Sequence, residues 1–275
     1  MILDRRSSLA AYAEDLASSG CICFTREDAM KALGVSHGAF LDAAARLAKR
    51  GYIFAPRRGF YVITPTRFLK WGAPPPSWYV DAMMEEAGRP YYVALLKAAE
   101  LHGAAHQAVM EFQVVTDRQW KPIRAGRSKI KFYFRKNIDA IEAGITRRKT
   151  HTGSMRISSP ALTALDLVRY LQASGGLMHA AGVLNELASE IDSEQLGALA
   201  PAFERSVVQR LGYIFDQLGK GEAAATLRHC LDSGNVPWVE LDPGEASSMA
   251  NEKDEPRRDQ CWHVIIRRPI EIDEQ

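Results

Sequence analysis

Apolar residues recur at helical spacing near the start of the chain. Leu9, Tyr12, Ala13 and Leu16 fall at i, i+3, i+4 and i+7, which predicts a helix over residues 4–18. Ser18, Ser19 and Gly20 stop it, and Cys21–Phe24 is a short strand candidate. Thr25-Arg26-Glu27-Asp28 reads as a capping box, a threonine with a carboxylate three positions on. It opens a second helix that buries Ala29 and Leu33 and ends at Gly34. Ser36 caps a third helix running to about Arg50, with Phe40, Ala44 and Leu47 as its apolar stripe. Two aromatic and β-branched runs, 52–55 and 60–63, flank Pro56-Arg57-Arg58-Gly59 and predict a hairpin. Helix, short strand, helix, tight turn, helix, hairpin is the order of a winged helix-turn-helix, assigned to residues 1–70.

Residues 64–76 contain Gly72, Ala73 and three consecutive prolines, and read as a partly stiffened connector with a domain boundary. Residues 77–103 read as two helices broken at Gly88-Arg89-Pro90, the second running from Tyr91 to Leu101. Strands are expected over 111–116 and 129–135, and a further strand or hairpin over 145–158 with a turn at Gly153. Within 129–135, Ile130, Phe132 and Phe134 alternate with Lys129, Lys131, Tyr133 and Arg135, which predicts one apolar and one basic face. From Ser159-Pro160 the pattern becomes helical, over 160–172, 176–190, 193–200, 203–218 and 221–232. A polar run at 244–259 predicts loop or disorder, and Trp262–Arg267 is a final strand candidate. The fold class is α+β: a winged helix-turn-helix over 1–70, a mixed domain over 77–235 with a small sheet and a C-terminal helical bundle, and a tail over 236–275.

Charge changes this picture more than composition does. The net charge of +2 hides four blocks: residues 1–70 carry +5, 71–117 carry −4, 118–156 carry +10 and 157–275 carry −9. The block at 118–156 holds 12 Lys/Arg against 2 Asp/Glu, interleaved with Trp120, Phe132, Tyr133 and Phe134. Such a block is an electrostatic footprint for polyanions. It also fits a sheet with a solvated basic face whose charges pair with the acidic blocks. No stretch approaches 18 apolar residues, so no membrane span is expected. Asp4, Arg5, Arg6, Glu14 and Asp15 interrupt what a secretory leader would keep apolar, which predicts a cytoplasmic chain. Cys21, Cys23, Cys230 and Cys261 form no C-x-x-C pair and read as reduced thiols.

The second motif helix of a helix-turn-helix enters the major groove by its N-terminal part. That places Ser36, His37, Gly38 and Ala39 at DNA, then Asp42 and Arg46, with Thr25 and Arg26 flanking and Arg57 and Arg58 at the wing tip. Small residues at 38 and 39 let backbone approach phosphate closely, and few of these side chains can read bases beyond His37 and Arg46. The second basic surface comprises Arg127, Lys129, Lys131, Arg135, Arg147, Arg148 and Lys149. No phosphate loop, dinucleotide fingerprint or nucleophile elbow occurs. His102 and His106 share a helical spacing but lack the Glu of a metalloprotease motif, and read as histidines at a helix C-terminus. Asp117 with Lys129 and Lys131 lacks the Glu-x-Lys of a nuclease. No catalytic residue, metal or cofactor is expected.

Two phrases carry a family resemblance. The first runs Pro90-Tyr91-Tyr92-Val93-Ala94-Leu95-Leu96 and continues to Ala99-Glu100-Leu101-His102-Gly103. The second is Met155-Arg156-Ile157-Ser158-Ser159-Pro160-Ala161-Leu162-Thr163-Ala164-Leu165-Asp166-Leu167. With the winged helix and proline-rich joint before them, they resemble the AbiEi-type antitoxins of type IV toxin–antitoxin systems over about residues 1–235. The resemblance implies a non-enzymatic DNA-binding autorepressor. Its partners would be double-stranded DNA, at inverted repeats upstream of its own operon, and a nucleotidyltransferase-like toxin it counteracts with or without direct contact. It also implies a second DNA contact on the basic face at 118–156. A one-component ligand-sensing regulator is the alternative, and a DNA-tethered nuclease a more distant one.

Overall fold

The computed structural model describes residues 8–104, 110–231, 236–244 and 256–270. Ser8 accepts a hydrogen bond from the Ala11 N–H and caps α1 (Leu9–Ser18); the expected start at residue 4 lies outside the described residues. A short strand β1 (Cys23–Thr25) leads directly into α2 (Arg26–Leu33), and Gly34 ends that helix in the left-handed region at φ 64°. After one tight turn α3 (His37–Lys49) begins. Two strands follow, β2 (Ile53–Arg57) and β3 (Phe60–Ile63). These and β1 form an antiparallel sheet in the order β1-β3-β2, with Phe24 opposite Tyr61. The predicted stripe of α3 is its buried one: Phe40, Ala44 and Leu47 face inward, and the Phe40 and Tyr61 rings meet at 5.3 Å.

The segment expected as a connector is folded. Thr66–Trp71 forms 3-10 turns and Pro76–Trp78 another, with Ala73 and Pro76 buried. Next come α4 (Val80–Glu86), β4 (Tyr91–Val93) and α5 (Leu95–Leu101). The single helix expected from Tyr91 is thus corrected to strand then helix. Its first three residues are two tyrosines and a valine after a proline, all three buried as a sheet position demands.

Four more elements precede the bundle, with β6 not foreseen: β5 (Glu111–Thr116), β6 (Ile123–Ala125), β7 (Ser128–Phe134) and the hairpin β8 (Ile145–Thr150) and β9 (Gly153–Ser158). With β4 they form a six-stranded sheet in the order β6-β7-β5-β4-β9-β8. β5 and β7 run parallel with Glu111 opposite Lys129, and β6 and β7 antiparallel. Alternation on β7 holds at Ile130 but fails at its end. Phe134 is 43% exposed and Arg135 only 4%. The strand stops at Phe134, so period-two inference no longer applies to Arg135.

The chain divides into two compact units. One comprises Met1–Tyr92, Met110–Lys136 and Arg147–Arg156, the other Val93–Val109, Asn137–Thr146 and Ile157–Gln275. The winged segment and both basic strands therefore share a unit. The other unit is built on α6 (Pro160–Arg169), whose eight residues from Ala161 to Val168 are all buried. Ser159 caps it by accepting from the Leu162 N–H at 3.3 Å. Around it lie α7 (Leu177–Leu187), α8 (Ser193–Leu199), α9 (Arg205–Gln217) and α10 (Gly221–Leu231), close to the expected ranges.

The tail holds more order than expected. β10 (Val239–Glu240), β11 (Arg257–Asp259) and β12 (Val264–Ile266) form a third sheet, order β10-β12-β11. Trp262 packs against Gly212 of α9 and is 1% exposed. Of the polar run expected at 244–259, residues 245–255 lie outside the described residues.

Candidate nucleic-acid interface

Two caps set the positions of the helix-turn-helix. Thr25 accepts from the Asp28 N–H at 3.0 Å and donates to the Asp28 carboxylate at 2.7 Å. Ser36 accepts from the Ala39 N–H at 3.3 Å. Both hydroxyls are therefore engaged in holding helix starts, each use stabilising by about 1 kcal/mol. What they present outward is the rest of the turn. Ser36, His37, Gly38 and Ala39 are exposed, as are Asp42 and Arg46 on the face opposite Phe40 and Ala44.

Arg26, His37 and Arg58 converge. The Arg26 guanidinium reaches the Glu27 carboxylate at 2.5 Å and His37 Nε2 at 3.3 Å, while Arg58 lines the same shallow cleft with Glu27 and Met30. The hydrogen bond from Arg26 holds the Glu27 carboxyl below the usual range. The start of α2 and the wing thus contribute one guanidinium each, and the start of α3 an imidazole, to a single surface with one carboxylate on it.

Arg57 does not join them. Pro56 sits in the edge strand β2, and the register slips by one residue between Phe54 and Arg57. A bulge of that kind turns the following side chain to the other face. Arg57 ion-pairs with Glu86, and its guanidinium lies 5.8 Å from the Trp120 ring centre. It lines a second cleft with Pro56, Trp120, Lys121 and Arg124. Only Arg58 of the wing pair is fully exposed.

The seven residues of the expected second basic surface separate into three groups. Lys129 and Lys131 both reach Glu111, at 2.7 and 3.5 Å, and the Lys129 hydrogen bond pulls the Glu111 carboxyl below its usual range. Arg147, Arg148 and Lys149 lie on β8, at the opposite edge of the sheet. Four strand spacings separate β7 from β8, about 19 Å. Arg147 contacts Ser154 at 2.9 Å and Asp81 at 3.7 Å. Arg148 and Lys149 are exposed with no ion pair among the described residues. Arg127 lies over Trp71, 5.7 Å from its ring centre. Arg135 is buried and is corrected out of the surface set, because it follows the strand end rather than continuing its outer face.

Sequence reasoning missed the aromatic partners of these cations. Nothing in local spacing places Trp120 beside Arg57 or Trp71 beside Arg127, since each pair is brought together across the fold. The remaining chemistry candidates have structural roles. His102 Nε2 lies 2.7 Å from the Ser158 carbonyl, and His106 is outside the described residues. Asp117 pairs with Arg89 at 3.3 Å. Among the described residues no group of three His, Cys, Asp or Glu side chains is placed to hold a metal, and no helix is long and apolar enough to cross a membrane.

The N-terminal helices with their small antiparallel sheet are consistent with a winged helix, set in a mixed α+β chain. Residues 92–217 match the family model described as the AbiEi antitoxin C-terminal domain. The fold as a whole is similar to the crystal structure of the Rv2827c protein from Mycobacterium tuberculosis. The TM-score is 0.61 at 17% identity, covering 93% of this chain and 90% of that one. No curated protein sequence matches the chain.

Proposed function

We propose that the protein is a DNA-binding antitoxin that represses its own operon and counteracts a nucleotidyltransferase-like toxin. In this reading residues 1–70 bind duplex DNA, 77–235 form the antitoxin domain, and the chain acts in the cytoplasm without catalysing a reaction. The observation that carries the DNA-binding half is the convergence of Arg26, His37 and Arg58 on the exposed start of α3. The two guanidinium groups there can meet phosphates on both sides of a major groove while α3 lies within it. The antitoxin half rests on the domain family of residues 92–217.

The basic groups beyond the winged segment support a longer footprint. Lys121 and Arg124 line the cleft beside the wing, and Arg148 with Lys149 sits at the far sheet edge. Gel-shift titration with DNA from upstream of its own gene tests the reading, run at several salt concentrations. Expected is sequence-specific binding that weakens steeply with salt. Absence of salt-sensitive binding to that DNA overturns it, as does failure of co-expression to relieve toxicity of a neighbouring nucleotidyltransferase.

A further inference from the structure

The joint after the wing carries a row of four rings. Trp71 and Phe68 have centres 5.4 Å apart, Phe68 meets Trp78 edge-on at 5.1 Å, and Trp78 stacks on His151 at 4.2 Å. Two guanidinium groups lie against this row. Arg67 is 4.6 Å from the Trp78 centre and 5.0 Å from Phe68, and also touches His151 Nε2 at 3.1 Å; Arg127 is over Trp71. Neither arginine has a carboxylate partner among the described residues, and Lys70 and Lys149 are exposed on the flanking chain. Trp71 is 47% exposed.

We infer that this row is a binding site for a single-stranded nucleic acid, with an unpaired base stacked on Trp71 and phosphate held by Arg67 and Arg127. A guanidinium lying on an aromatic face keeps its N–H edge free for phosphate. An exposed aromatic ring such as Trp71, beside cations that no carboxylate neutralises, is the element by which proteins hold single strands. A duplex does not satisfy the site, because its bases are stacked on one another and present no face to Trp71. The row is held rigidly from behind. Trp71 accepts from the Arg127 N–H at 3.1 Å, Phe68 from the Gly72 N–H at 3.0 Å, and Trp78 from the Thr152 hydroxyl at 2.6 Å. Little ordering entropy is therefore left to lose on binding. The inference goes beyond the duplex-binding reading and fails separately from it.

The test uses the full chain and fluorescence anisotropy with labelled 15-nucleotide oligo-dT and oligo-U, beside an operator duplex. Trp71→Ala and Arg67→Ala are each expected to weaken single-strand binding at least fivefold. Trp71→Tyr retains it, which separates loss of stacking from loss of folding. Trp71→Ala leaves duplex binding unchanged, whereas Arg58→Ala lowers it. Weakening with either polymer supports the site, and the polymer bound tighter identifies its source. No single-strand binding, no change in Trp71→Ala, or equal loss of single strand and duplex in that variant overturns it. Loss of duplex binding in the unmodified protein overturns the operator reading alone.

Discussion

Gly126 lies with its Cα against the carbonyl of Trp71. A β-carbon there would overlap that oxygen and stand 2.8 Å from the Ala73 nitrogen, and the backbone sits at φ +58°. The β6–β7 turn thus clamps the joint that follows the wing, and only a residue without a side chain permits the approach. Gly126→Ala is expected to destabilise the protein by about 3 kcal/mol, combining left-handed strain with a clash against backbone that cannot yield. Gly59 provides the control: its φ is +85°, but nothing lies within 4 Å of an added β-carbon. Gly59→Ala should cost only about 1–2 kcal/mol. Urea unfolding of both variants measures the difference, and equal losses would sink the clamp.

The two wing arginines make opposite predictions. Arg58 is exposed in the Arg26–His37 cleft, whereas Arg57 is tied to Glu86 and Trp120. Arg58→Ala should weaken duplex binding and reduce the salt slope by about one unit. Arg57→Ala should leave that slope nearly unchanged. Affinity measured from 50 to 300 mM salt, roughly the range in which counterion release is resolved, distinguishes them. A steeper loss in Arg57→Ala would contradict the assignment.

The contrast between these neighbours also marks how far sequence reasoning reaches. Local signals located the elements well. Thr25 and Ser36 were legible as caps, and the stripe Phe40, Ala44, Leu47 as the buried face, because each depends only on residues a turn away. Pro160 at a helix start was legible for the same reason. What failed depends on distant partners. Tyr91–Val93 became a strand because the sheet takes it up, and Arg57 turned away through a bulge whose other half is β3. The +10 block read as one surface because its charges are close in sequence. The strand order places Lys129 and Arg148 near opposite edges of one sheet.

Alkaline stability follows from buried acids. Burial, with a smaller contribution from Cys21, pushes the Cys23 thiol from 9.0 up to about 12. Burial likewise raises the phenols of Tyr79 and Tyr91. Each group keeps its proton longer folded than unfolded. The stability they contribute is full below pH 9 and is lost as pH rises from there toward 12. The melting temperature should therefore fall between pH 9 and pH 11, and Cys23→Ala should flatten the fall. At about pH 8, Ellman's reagent should modify exposed Cys21 and Cys261 before Cys23. Faster reaction at Cys23, read by peptide mapping, would contradict its protected state.

Trp262 packs the last strands onto the bundle. Trp262 fills the space over Gly212, where an added β-carbon would stand 2.6 Å from its Cε3. Its indole N–H donates to Asp216, and Arg228 lies 4.9 Å above its ring. Behind it the Gln209 amide donates to the carbonyls of Pro237 at 2.8 Å and Trp262 at 3.0 Å. Removing the ring leaves a cavity and takes the indole donor from Asp216, so Trp262→Ala should cost about 3–5 kcal/mol. The loss should be local before it is global, because α6 and its neighbours keep their own buried core. Limited proteolysis should cut the variant first within 236–270 while a fragment ending near Leu231 persists. Gly212→Ala should reproduce the pattern from the other side of the contact. If both variants resist cleavage as the parent does, Trp262 is not what fastens the tail.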